Sequence, residues 1–427
     1  MTAAITGVGV VSAFGIGTDA LFAGLVAGAS GISRIRSFDA STFPTQVAGE
    51  VPVPTADAAW LADALGGDPT LAYELGAAGA LRDRKIGFGL LAAAEAWRSA
   101  GCGASDRGAS LSIALGLEQA FLEDLVPIFG HDARGDRAIA WERATEAPGV
   151  RFRSPVDLCA RSIHAWLDLR GPTTVNASAC AAGALAVAHA ASLIERGAAD
   201  IVVCGAADSM VNPLGLGGMC RLGAPSPRDA LDACRPFDRR RDGLVIGEGA
   251  AMFVVEDLAR ARARGARPLA TLLGWGSTQD GHRATAPRPD GRSAQTAMER
   301  AIARSGLAAE AIGYVNAHGT GTPLNDPAEC KAIRGALGAH GSRVAVSSIK
   351  GAVGHLMAAA GAIELAASLL AFERDLVPGT ANHGELDPEC DVDVIGPMPR
   401  TMAVGAVLSN SFGFGGQNAS LVIGRPA

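Results

Sequence analysis

Residues 172–210 read PTTVNASAC, AAGALAVAHAASLIERG and AADIVVCGAADSM in succession. The first part is a strand-like approach that ends in the small residues Ala177-Ser178-Ala179 and delivers Cys180. An alanine-rich run from Ala181 to Arg196 follows without proline, so we expect a helix there. Ile201 to Gly205 has the apolar composition of a buried strand. The stretch therefore predicts strand, turn, helix and strand, with Cys180 at the N-terminus of the helix.

Cys180 has two interpretations on this stretch alone. At a helix N-terminus, unpaired backbone N–H groups and the helix dipole favour a thiolate, the form in which cysteine acts as a nucleophile. A free cysteine is more often a small, buried apolar side chain. The rest of the sequence has to decide between a catalytic thiol and a packing residue.

Composition limits the class of protein and its partners. The 427 residues are 48% hydrophobic and include 55 glycines, while only 19% are charged. This balance is typical of a compact enzyme with close backbone packing and not of a disordered chain. The formal charge of -6 gives no general attraction to nucleic acid or to anionic membranes, so we expect neither as a partner.

The eight cysteines are scattered and form no C-x-x-C pair. They indicate neither a zinc cage nor a disulfide framework, so we expect no metal and a reducing, cytoplasmic setting. The N-terminus has no basic segment typical of a signal peptide. The most apolar later run, Leu356 to Phe372, contains Glu364 and is too short to span a bilayer comfortably, so we expect a buried helix.

Strand and helix patterns alternate along the chain. Ala3–Val11 has the pattern of a buried strand and Ile86–Ser99 that of an amphipathic helix, and a second series begins near Pro268. This alternation predicts an α/β protein with mainly parallel sheets and two halves, residues 1–262 and 263–427. The halves resemble variations on one plan, but the repeat is too weak in sequence to establish a duplication.

Two further patterns bear on function. Gly7-Val8-Gly9 resembles the start of a dinucleotide-binding turn, but Ser12 occupies the sixth position and no acidic residue closes a second strand, so we reject that interpretation. From Glu118 to Pro155 the periodicity weakens, and charges mix with aromatic residues. We expect this segment to line a pocket or a subunit contact.

Four segments share one arrangement, an apolar strand followed by a turn of reactive or small residues. They are Asn176–Cys180, Asn316–Thr322, Ser347–His355 and Asn410–Gly416. Singly, each has a structural explanation, since a lone histidine or a glycine turn is usually structural. Because open parallel sheets place ligand sites at the carboxyl ends of their strands, we expect the four turns to form one site.

These segments closely resemble the β-ketoacyl-acyl-carrier-protein synthases, the condensing enzymes of fatty-acid and polyketide synthesis. The motifs that carry the resemblance lie in order over nearly the whole chain and include Arg235-Pro-Phe-Asp238, Arg241-Asp-Gly243, Gly247-Glu-Gly249, His318-Gly-Thr-Gly-Thr-Pro323 with Asp326 and Glu329, Gly354-His355 and Asn410-Ser-Phe-Gly-Phe-Gly-Gly416. The resemblance implies the thiolase fold, a duplicated α/β unit in five αβαβα layers that usually forms a dimer.

The resemblance also implies roles for individual residues. Cys180 matches the nucleophile that takes an acyl group from a carrier thioester, a step that suits a thiolate because it both attacks and leaves readily. His318 and His355 match a pair whose neutral Nε2–H groups stabilise the enolate formed when malonyl thioester loses CO2. The backbone N–H groups of Cys180 and Phe414 match the oxyanion hole.

Several matched residues support this centre. Lys350 matches a lysine that pairs with a glutamate corresponding to Glu329, and lysine is rare in this arginine-rich chain. Thr320 and Thr322 match positions that hydrogen-bond the phosphopantetheine arm of the carrier. Substrates would arrive on that arm, so the resemblance implies no cofactor of the enzyme's own. The glycines that would let the last loop approach substrate are Gly413, Gly415 and Gly416.

The acyl carrier protein is the implied partner, and the dimer would be a homodimer or a heterodimer with a related subunit. Carrier proteins are typically acidic, so we expect a basic rim around the entrance. By rough alignment its candidates are Arg82, Arg84, Lys85 and Arg221.

The sequence departs from the family pattern at positions that bear on substrate choice. Leu244 stands where phenylalanine is common and Gln417 where threonine is common. A specialised polyketide or polyene pathway is therefore as plausible as fatty-acid elongation. Two other functions stay open: a chain-length-factor-like partner subunit, although such subunits generally lack the cysteine, and a cysteine thioester hydrolase that uses Cys180 and His318.

Overall fold

The computed structural model describes residues 1–55, 57–67, 69–77, 80–116 and 156–426. The strands of this part, numbered in chain order, are β1 (Ala3–Ser12), β2 (Gly15–Ile16), β3 (Ser33–Arg34), β4 (Val47–Ala48), β5 (Ser110–Leu115), β6 (Thr173–Asn176), β7 (Ile201–Ser209), β8 (Glu248–Asp257), β9 (Ala270–Gln279), β10 (Ile312–Asn316), β11 (Ala345–Ser347), β12 (Leu376–Val377), β13 (Asp393–Val394), β14 (Arg400–Thr401), β15 (Ala406–Gly413) and β16 (Gln417–Gly424).

The α-helices of the described residues are α1 (Thr18–Val26), α2 (Ala58–Ala64), α3 (Pro69–Ala77), α4 (Arg84–Ser99), α5 (Val156–Trp166), α6 (Ala182–Glu195), α7 (Pro213–Arg221), α8 (Leu258–Ala263), α9 (Arg292–Ser305), α10 (Asn325–Leu337), α11 (Lys350–Val353), α12 (Ala360–Ser368) and α13 (Leu370–Glu373). The expected pocket or subunit contact at Glu118–Pro155 lies outside the described residues. Within them, no helix has both the length and the apolarity needed to cross a membrane.

One large sheet runs through the molecule in the strand order β13-β11-β10-β15-β16-β9-β1-β8-β7-β5-β6. Its two halves repeat one another: β6-β5-β7-β8-β1 on one side corresponds to β11-β10-β15-β16-β9 on the other. In both halves the first three strands are parallel and the last two pairings are antiparallel. The halves meet where β1 pairs with β9. The duplication that the sequence could not establish is evident in this topology.

The prediction of mainly parallel sheets is only partly right. β15 and β16 are antiparallel because only the turn Phe414–Gly416 joins them, and a parallel pair would need a long crossover connection. β8 likewise runs antiparallel to both β7 and β1. Alternating helix and strand patterns predict crossovers, and they do not reveal the antiparallel pairs of each repeat.

Helices and sheet halves stack in five layers, which confirms the thiolase fold. α6 and α12 pack against each other in the middle, α6 also against β5 and β7 and α12 against β15. α4 covers β1 and β8 on one outer face, and α9 covers β9 and β16 on the other. Separate apolar clusters fill the central layer and the two outer interfaces.

The central helices show how well local patterns predicted the elements. The helix expected over Ala181–Arg196 is observed as α6, one residue shorter at each end. The helix expected over Leu356–Phe372 is present but interrupted, with a 3-10 turn at Met357–Ala359 before α12 and a break at Leu369 before α13. The turn matters for the site because it follows His355 directly.

Candidate active site

Cys180 lies in a 3-10 turn, Ala179–Ala181, between the end of β6 and the start of α6. Ala179 adopts φ 47°, a left-handed conformation that is costly for a residue with a Cβ and often marks functional turns. The side chain of Asn176 braces the turn, since its Nδ2 donates to the carbonyl of Ala182 at 3.0 Å and its Oδ1 accepts from Ser178 at 2.7 Å.

A cavity of about 490 Å³ opens in front of this turn. Its lining includes Cys180, His318, His355, Thr320, Thr322, Phe412, Gly413, Phe414 and Gly416. The four turns singled out in the sequence therefore meet at one place. Those after β10, β11 and β15 follow parallel neighbouring strands of the second half, and the turn after β6 meets them from the first half. Lys350 and Glu329 lie behind His318, and Gly415 is exposed at the tip of its loop.

The glycine loop reaches Cys180 closely. A Cβ placed on Gly413 would lie 3.0 Å from the backbone nitrogen of Cys180, so a side chain there would crowd the turn. Gly415 and Gly416 have φ 84° and 82°, values that glycine adopts without strain. The backbone N–H of Gly415 donates to Ala284 at 2.6 Å, which ties the tip of the loop to the segment after β9.

His318 is held by Lys350. The Nζ of Lys350 lies 3.2 Å from Nδ1 of His318 and also donates to the backbone carbonyl of His318. Because an ammonium group can only donate, Nδ1 of His318 is the acceptor, and the ring proton of the neutral imidazole is on Nε2. Burial lowers the pKa of His318 well below its ordinary value, and the charge of Lys350 adds to the effect. His318 is thus a neutral Nε2–H donor.

His355 reaches the same state by another route. The backbone N–H of Met357 donates to Nδ1 of His355 at 3.1 Å, so the ring proton again belongs on Nε2. Burial lowers the pKa of His355 well below its ordinary value, and the charge of Lys350 adds to the effect. The His318 and His355 rings meet edge to face, with centroids 5.2 Å apart and an angle of 83° between their planes.

The ion pair of Lys350 differs from the one expected. Its carboxylate partner is Glu364 on α12, not Glu329, and both side chains are only 1% exposed. Glu364 was visible in the sequence as the acidic residue of an otherwise apolar run. A buried carboxylate needs a cationic or hydrogen-bonding partner, so that residue was the signal which could have identified the pair.

Glu329, which was expected to bind Lys350, instead shapes the loop after β10. Its carboxylate accepts the backbone N–H groups of His318 and Gly319, both at 2.8 Å, and the side-chain amide of Asn410 at 3.2 Å. Burial raises the pKa of Glu329 to about 7, against the opposing effect of these hydrogen bonds. Glu329 therefore positions His318 through its main chain and bridges the loops at His318 and Asn410.

Asp326 does the same for the next part of this loop. It accepts the backbone N–H groups of Thr320 at 3.1 Å and of Gly321 at 3.2 Å, as well as that of Phe237 at 2.8 Å. The hydroxyls of Thr320 and Thr322 lie 2.9 Å apart and line the outer part of the cavity. These two hydroxyl groups therefore face the path that a substrate takes from the entrance of the cavity to Cys180.

The state of Cys180 differs from the expectation. The helix N-terminus predicts a thiolate, but burial raises the pKa of the Cys180 thiol to about 12, although the charge of Lys350 and the backbone N–H of Phe414 oppose the rise. Burial thus opposes the thiolate that the helix N-terminus favours. The proton has to leave when a substrate is attacked.

Two of the four residues proposed for the basic rim are unsuitable. Lys85 is fully buried and paired with Asp83 at 2.5 Å. Arg84 is mostly buried, with its guanidinium 2.9 Å from Glu248 and its Nη2 donating to the carbonyl of Val51. Arg82 and Arg221 are exposed. The sequence alone could not show that helix α4 turns two of these residues inward.

Comparison with known proteins agrees with this site. Family models for the N-terminal and C-terminal domains of beta-ketoacyl synthases match residues 2–261 and 269–383. The chain is 35% identical to a protein named 3-oxoacyl-[acyl-carrier-protein] synthase 2 from Coxiella burnetii, with 99% of this chain and 98% of that protein covered.

Two solved structures are similar over their full length. One is a ketosynthase of a type II polyketide synthase in complex with its acyl-carrier protein and bound to a hexaketide, with TM-score 0.84, 27% identity and 100% and 99% of the two chains covered. The other is the ishigamide ketosynthase/chain length factor, with TM-score 0.83, 31% identity and the same coverage. The chain therefore belongs to the beta-ketoacyl synthase family, the condensing enzymes of fatty-acid and polyketide synthesis.

Proposed function

We propose that this site carries out a decarboxylative Claisen condensation on Cys180, with malonyl carrier protein as the extending substrate. The observation that carries the proposal is one cavity lined by a thiol and by two neutral imidazoles whose Nε2–H groups are fixed by contacts at Nδ1. A thiol suits covalent acyl transfer, and two neutral donors suit an enolate that forms without a metal.

The first half-reaction loads the enzyme. The sulfur of Cys180 attacks the acyl carbonyl of a carrier thioester, the carrier's C–S bond breaks, and the cysteine proton goes to the departing phosphopantetheine thiolate. The backbone N–H groups of Cys180 and Phe414 would hold the oxyanion of the tetrahedral intermediate. The 3.0 Å approach of a Gly413 Cβ position to the Cys180 nitrogen supports this placement of the two loops.

The second half-reaction forms the carbon–carbon bond. Malonyl thioester loses CO2, and the electron pair of the broken bond becomes an enolate whose oxygen accepts from Nε2–H of His318 and His355. The enolate carbon attacks the acyl carbonyl on Cys180, the thioester bond to sulfur breaks, and the cysteine sulfur takes up a proton from solvent. Thr320 and Thr322 would hydrogen-bond the phosphopantetheine arm during both half-reactions.

Intact-protein mass spectrometry with a series of acyl carrier thioesters tests the proposal. We expect an acyl adduct on Cys180 that malonyl carrier protein then removes as a β-ketoacyl product. Cys180→Ala should form no adduct, and a protein that never carries an acyl group on Cys180 would overturn the proposal. Release of free acid instead of condensed product would favour the thioester hydrolase.

The entrance of the cavity suits a carrier protein. Leu222 and Leu324 line the cavity and are 53% and 63% exposed, and Arg283 lies on the same rim. Arg221 is exposed beside Leu222. An acidic partner with an apolar contact surface complements this combination. We infer that an acyl carrier protein docks here and supplies the substrates on its phosphopantetheine, so that the enzyme needs no cofactor of its own.

We propose that the protein forms a dimer through the edge strand β6. β6 ends the large sheet, its Val175 is 37% exposed, and its three other residues are exposed or partly so. An exposed edge of β-branched residues is a template for pairing with another strand. The partner would be a second copy or a related subunit, and the free thiols of all eight cysteines support a reducing, cytoplasmic setting for either.

The acyl chain is expected to follow the apolar side of the cavity. Met219, Leu244 and Met357 line that side and belong to the apolar cluster that also contains Cys180. Leu244 is held rigidly, because its backbone pairs with Ala224 at 3.1 Å and with Ser226 at 2.8 Å. A leucine at this position leaves more room in the cavity than the phenylalanine common in the family. We therefore expect the enzyme to accept acyl chains that are wider or longer than those accepted by a Leu244→Phe variant.

A further inference from the structure

Asp208 is a buried carboxylate that none of the steps above uses. It lies at the carboxyl end of β7, one residue before the strand ends, and is 1% exposed. Its Oδ2 accepts the backbone N–H of Ala358 at 2.8 Å. Ala358 belongs to the other half of the molecule, in the 3-10 turn that follows His355. The carboxylate therefore joins the half that carries the nucleophile to the half that carries the imidazoles.

The turn bound by Asp208 is strained and functional. Met357 has φ 47°, an unfavourable conformation for a large side chain. Its backbone N–H is the group that donates to Nδ1 of His355 at 3.1 Å. Two successive N–H groups, those of Met357 and Ala358, are thus each held by a side-chain acceptor. Such a conformation persists only when its surroundings fix it.

The main chain of His355 is fixed independently of this turn. Its N–H donates to the carbonyl of Val245 at 2.8 Å, and its carbonyl accepts from Gly247 at 2.8 Å. The position of His355 along the chain is therefore set by the strand-like segment before β8. These contacts do not fix the conformation of the turn after His355. That turn supplies the N–H donor to Nδ1 and so decides which ring nitrogen carries the proton.

We propose that Asp208 is a positioning residue for His355: its carboxylate holds the Met357–Ala359 turn, which keeps Nδ1 occupied and presents Nε2–H to the cavity. The inference rests on the proposed role of His355 in decarboxylation. The position is electrostatically suitable, since an anion is favoured at the start of the helical segment that continues into α12. A charge-assisted hydrogen bond is also stronger than a neutral one.

Gly116 is a second position at which a substitution can test the role of Asp208. A Cβ built on Gly116 would lie 2.1 Å from Oδ1 of Asp208, so the carboxylate packs against the bare backbone at the end of β5. Gly116→Ala should displace the carboxylate without removing it. Gly108→Ala is the matched control, since a Cβ at Gly108, in the loop before β5, would meet no atom within 4 Å.

The test separates the two half-reactions in the full-length enzyme. Asp208→Ala should slow decarboxylation of malonyl carrier protein by roughly 10- to 100-fold, the range that a small misplacement of a catalytic group produces. It should not slow loading of Cys180. Asp208→Asn, which keeps an acceptor oxygen, should stay within about 3-fold of wild type in both steps. Gly116→Ala should follow Asp208→Ala, and Gly108→Ala should follow wild type.

A spectroscopic readout makes the inference independent of turnover. With 15N-labelled histidine, the wild-type His355 signals should report the Nε2–H tautomer, whereas Asp208→Ala should show a mixture of tautomers. An unchanged tautomer in Asp208→Ala, or an Asp208→Asn variant as slow as Asp208→Ala, would overturn the positioning role. If wild type did not decarboxylate malonyl carrier protein at all, the proposed function would fail, while the spectra would still decide the role of Asp208.

Discussion

At the residue scale, the site depends on buried charged groups, each of which has only a few possible hydrogen-bond or ion-pair partners. Lys350 is the clearest case, because one ammonium group contacts Glu364, the carbonyl of His318 and Nδ1 of His318. It orients the imidazole and, by its charge, keeps that imidazole neutral. The same group also opposes the rise in the pKa of Cys180. One lysine thus acts on three groups of the proposed mechanism, His318, His355 and Cys180.

We predict that Glu364→Ala destabilises the protein by about 3–5 kcal/mol, since it leaves the buried ammonium of Lys350 without its carboxylate. Urea unfolding of both proteins measures this change. Replacing both partners, as in Lys350→Met with Glu364→Leu, should restore most of the stability but not the activity. Glu385→Ala is the control, because its ion pair with Arg239 is exposed and should contribute nothing measurable. A small effect of Glu364→Ala would contradict the assigned pair.

We predict that the two histidines contribute a loss of stability on acidification. Both have a pKa lowered by burial in the folded state, while the unfolded chain binds protons at the ordinary value of about 6.5. Below that pH these histidines bind more protons in the unfolded state than in the folded state, so their contribution to stability falls as the pH falls through 6.5. Between pH 7.5 and 5.5 the loss is up to about 1.4 kcal/mol for each histidine.

Urea unfolding at the two pH values checks the histidine prediction. The double variant His318→Asn with His355→Asn should lose this part of the pH dependence. Substitution of His164, which is partly exposed and does not line the cavity, should leave it in place. Equal pH dependence in wild type and in the double variant would show that the imidazoles are not held neutral by the fold.

At the element scale, the crossing of α6 and α12 brings the nucleophile and the imidazoles together. Gly183 on α6 and Gly361 on α12 allow the close approach, since a Cβ on either glycine would lie 2.9 Å from a backbone atom of the other helix. α6 begins just after Cys180, and α12 begins just after the turn that follows His355. The distance between the two helices therefore sets the distance between the reacting groups.

Gly361→Ala should push these helices apart, because its Cβ would lie 2.4 Å from Oγ of Ser411 and 2.9 Å from the nitrogen of Ala184. We expect a loss of about 1–3 kcal/mol in the free energy of unfolding and a lower rate of condensation. Gly218→Ala on α7 meets no atom within 4 Å and should be neutral or slightly stabilising. A fully active, equally stable Gly361→Ala would show that the crossing tolerates widening.

The edge strand β6 gives a prediction for assembly. Val175→Asp places a charge on the exposed edge that we propose as the dimer contact, so the dimer should dissociate or weaken strongly. Size-exclusion chromatography with light scattering measures the mass directly. Leu214→Asp is the control, since Leu214 is similarly exposed, at 39%, but lies on α7. If the Val175 variant remained a dimer, β6 would not be the contact.

At the scale of the whole molecule, the rim of the cavity is the surface on which we propose that the carrier protein docks. Arg221→Glu with Arg283→Glu should raise the apparent KM for carrier protein about tenfold at low salt, and the difference should shrink as salt screens the charges. The rate of acyl loading at saturating carrier should change little. Arg343→Glu, which lies before β11 and thus at the opposite end of the sheet, should leave the KM unchanged.

The sequence predicted the parts of this molecule that are local. Cys180 was identifiable because small residues, a strand and a helix occur together in one short stretch. The partner of Lys350 was missed. The apolar run around Glu364 indicated a buried carboxylate, but only the packing of α12 shows that Lys350 is the cation beside it. Asp208 had no signal at all, because its role depends on contact with a turn 150 residues away. Antiparallel pairing was missed for the same reason: strand direction depends on contacts that no local pattern records.

The repeated strand order has a consequence for how activity arises during synthesis. Cys180 follows β6 in the first repeat, whereas His355 follows the corresponding strand β11 of the second repeat and His318 follows its neighbour β10. When only the first repeat has left the ribosome, the thiol of Cys180 is present but the two imidazoles are not. Catalytic competence therefore appears in one step, when the late repeat docks on the early one, and the chain cannot begin to consume activated substrate before it is finished.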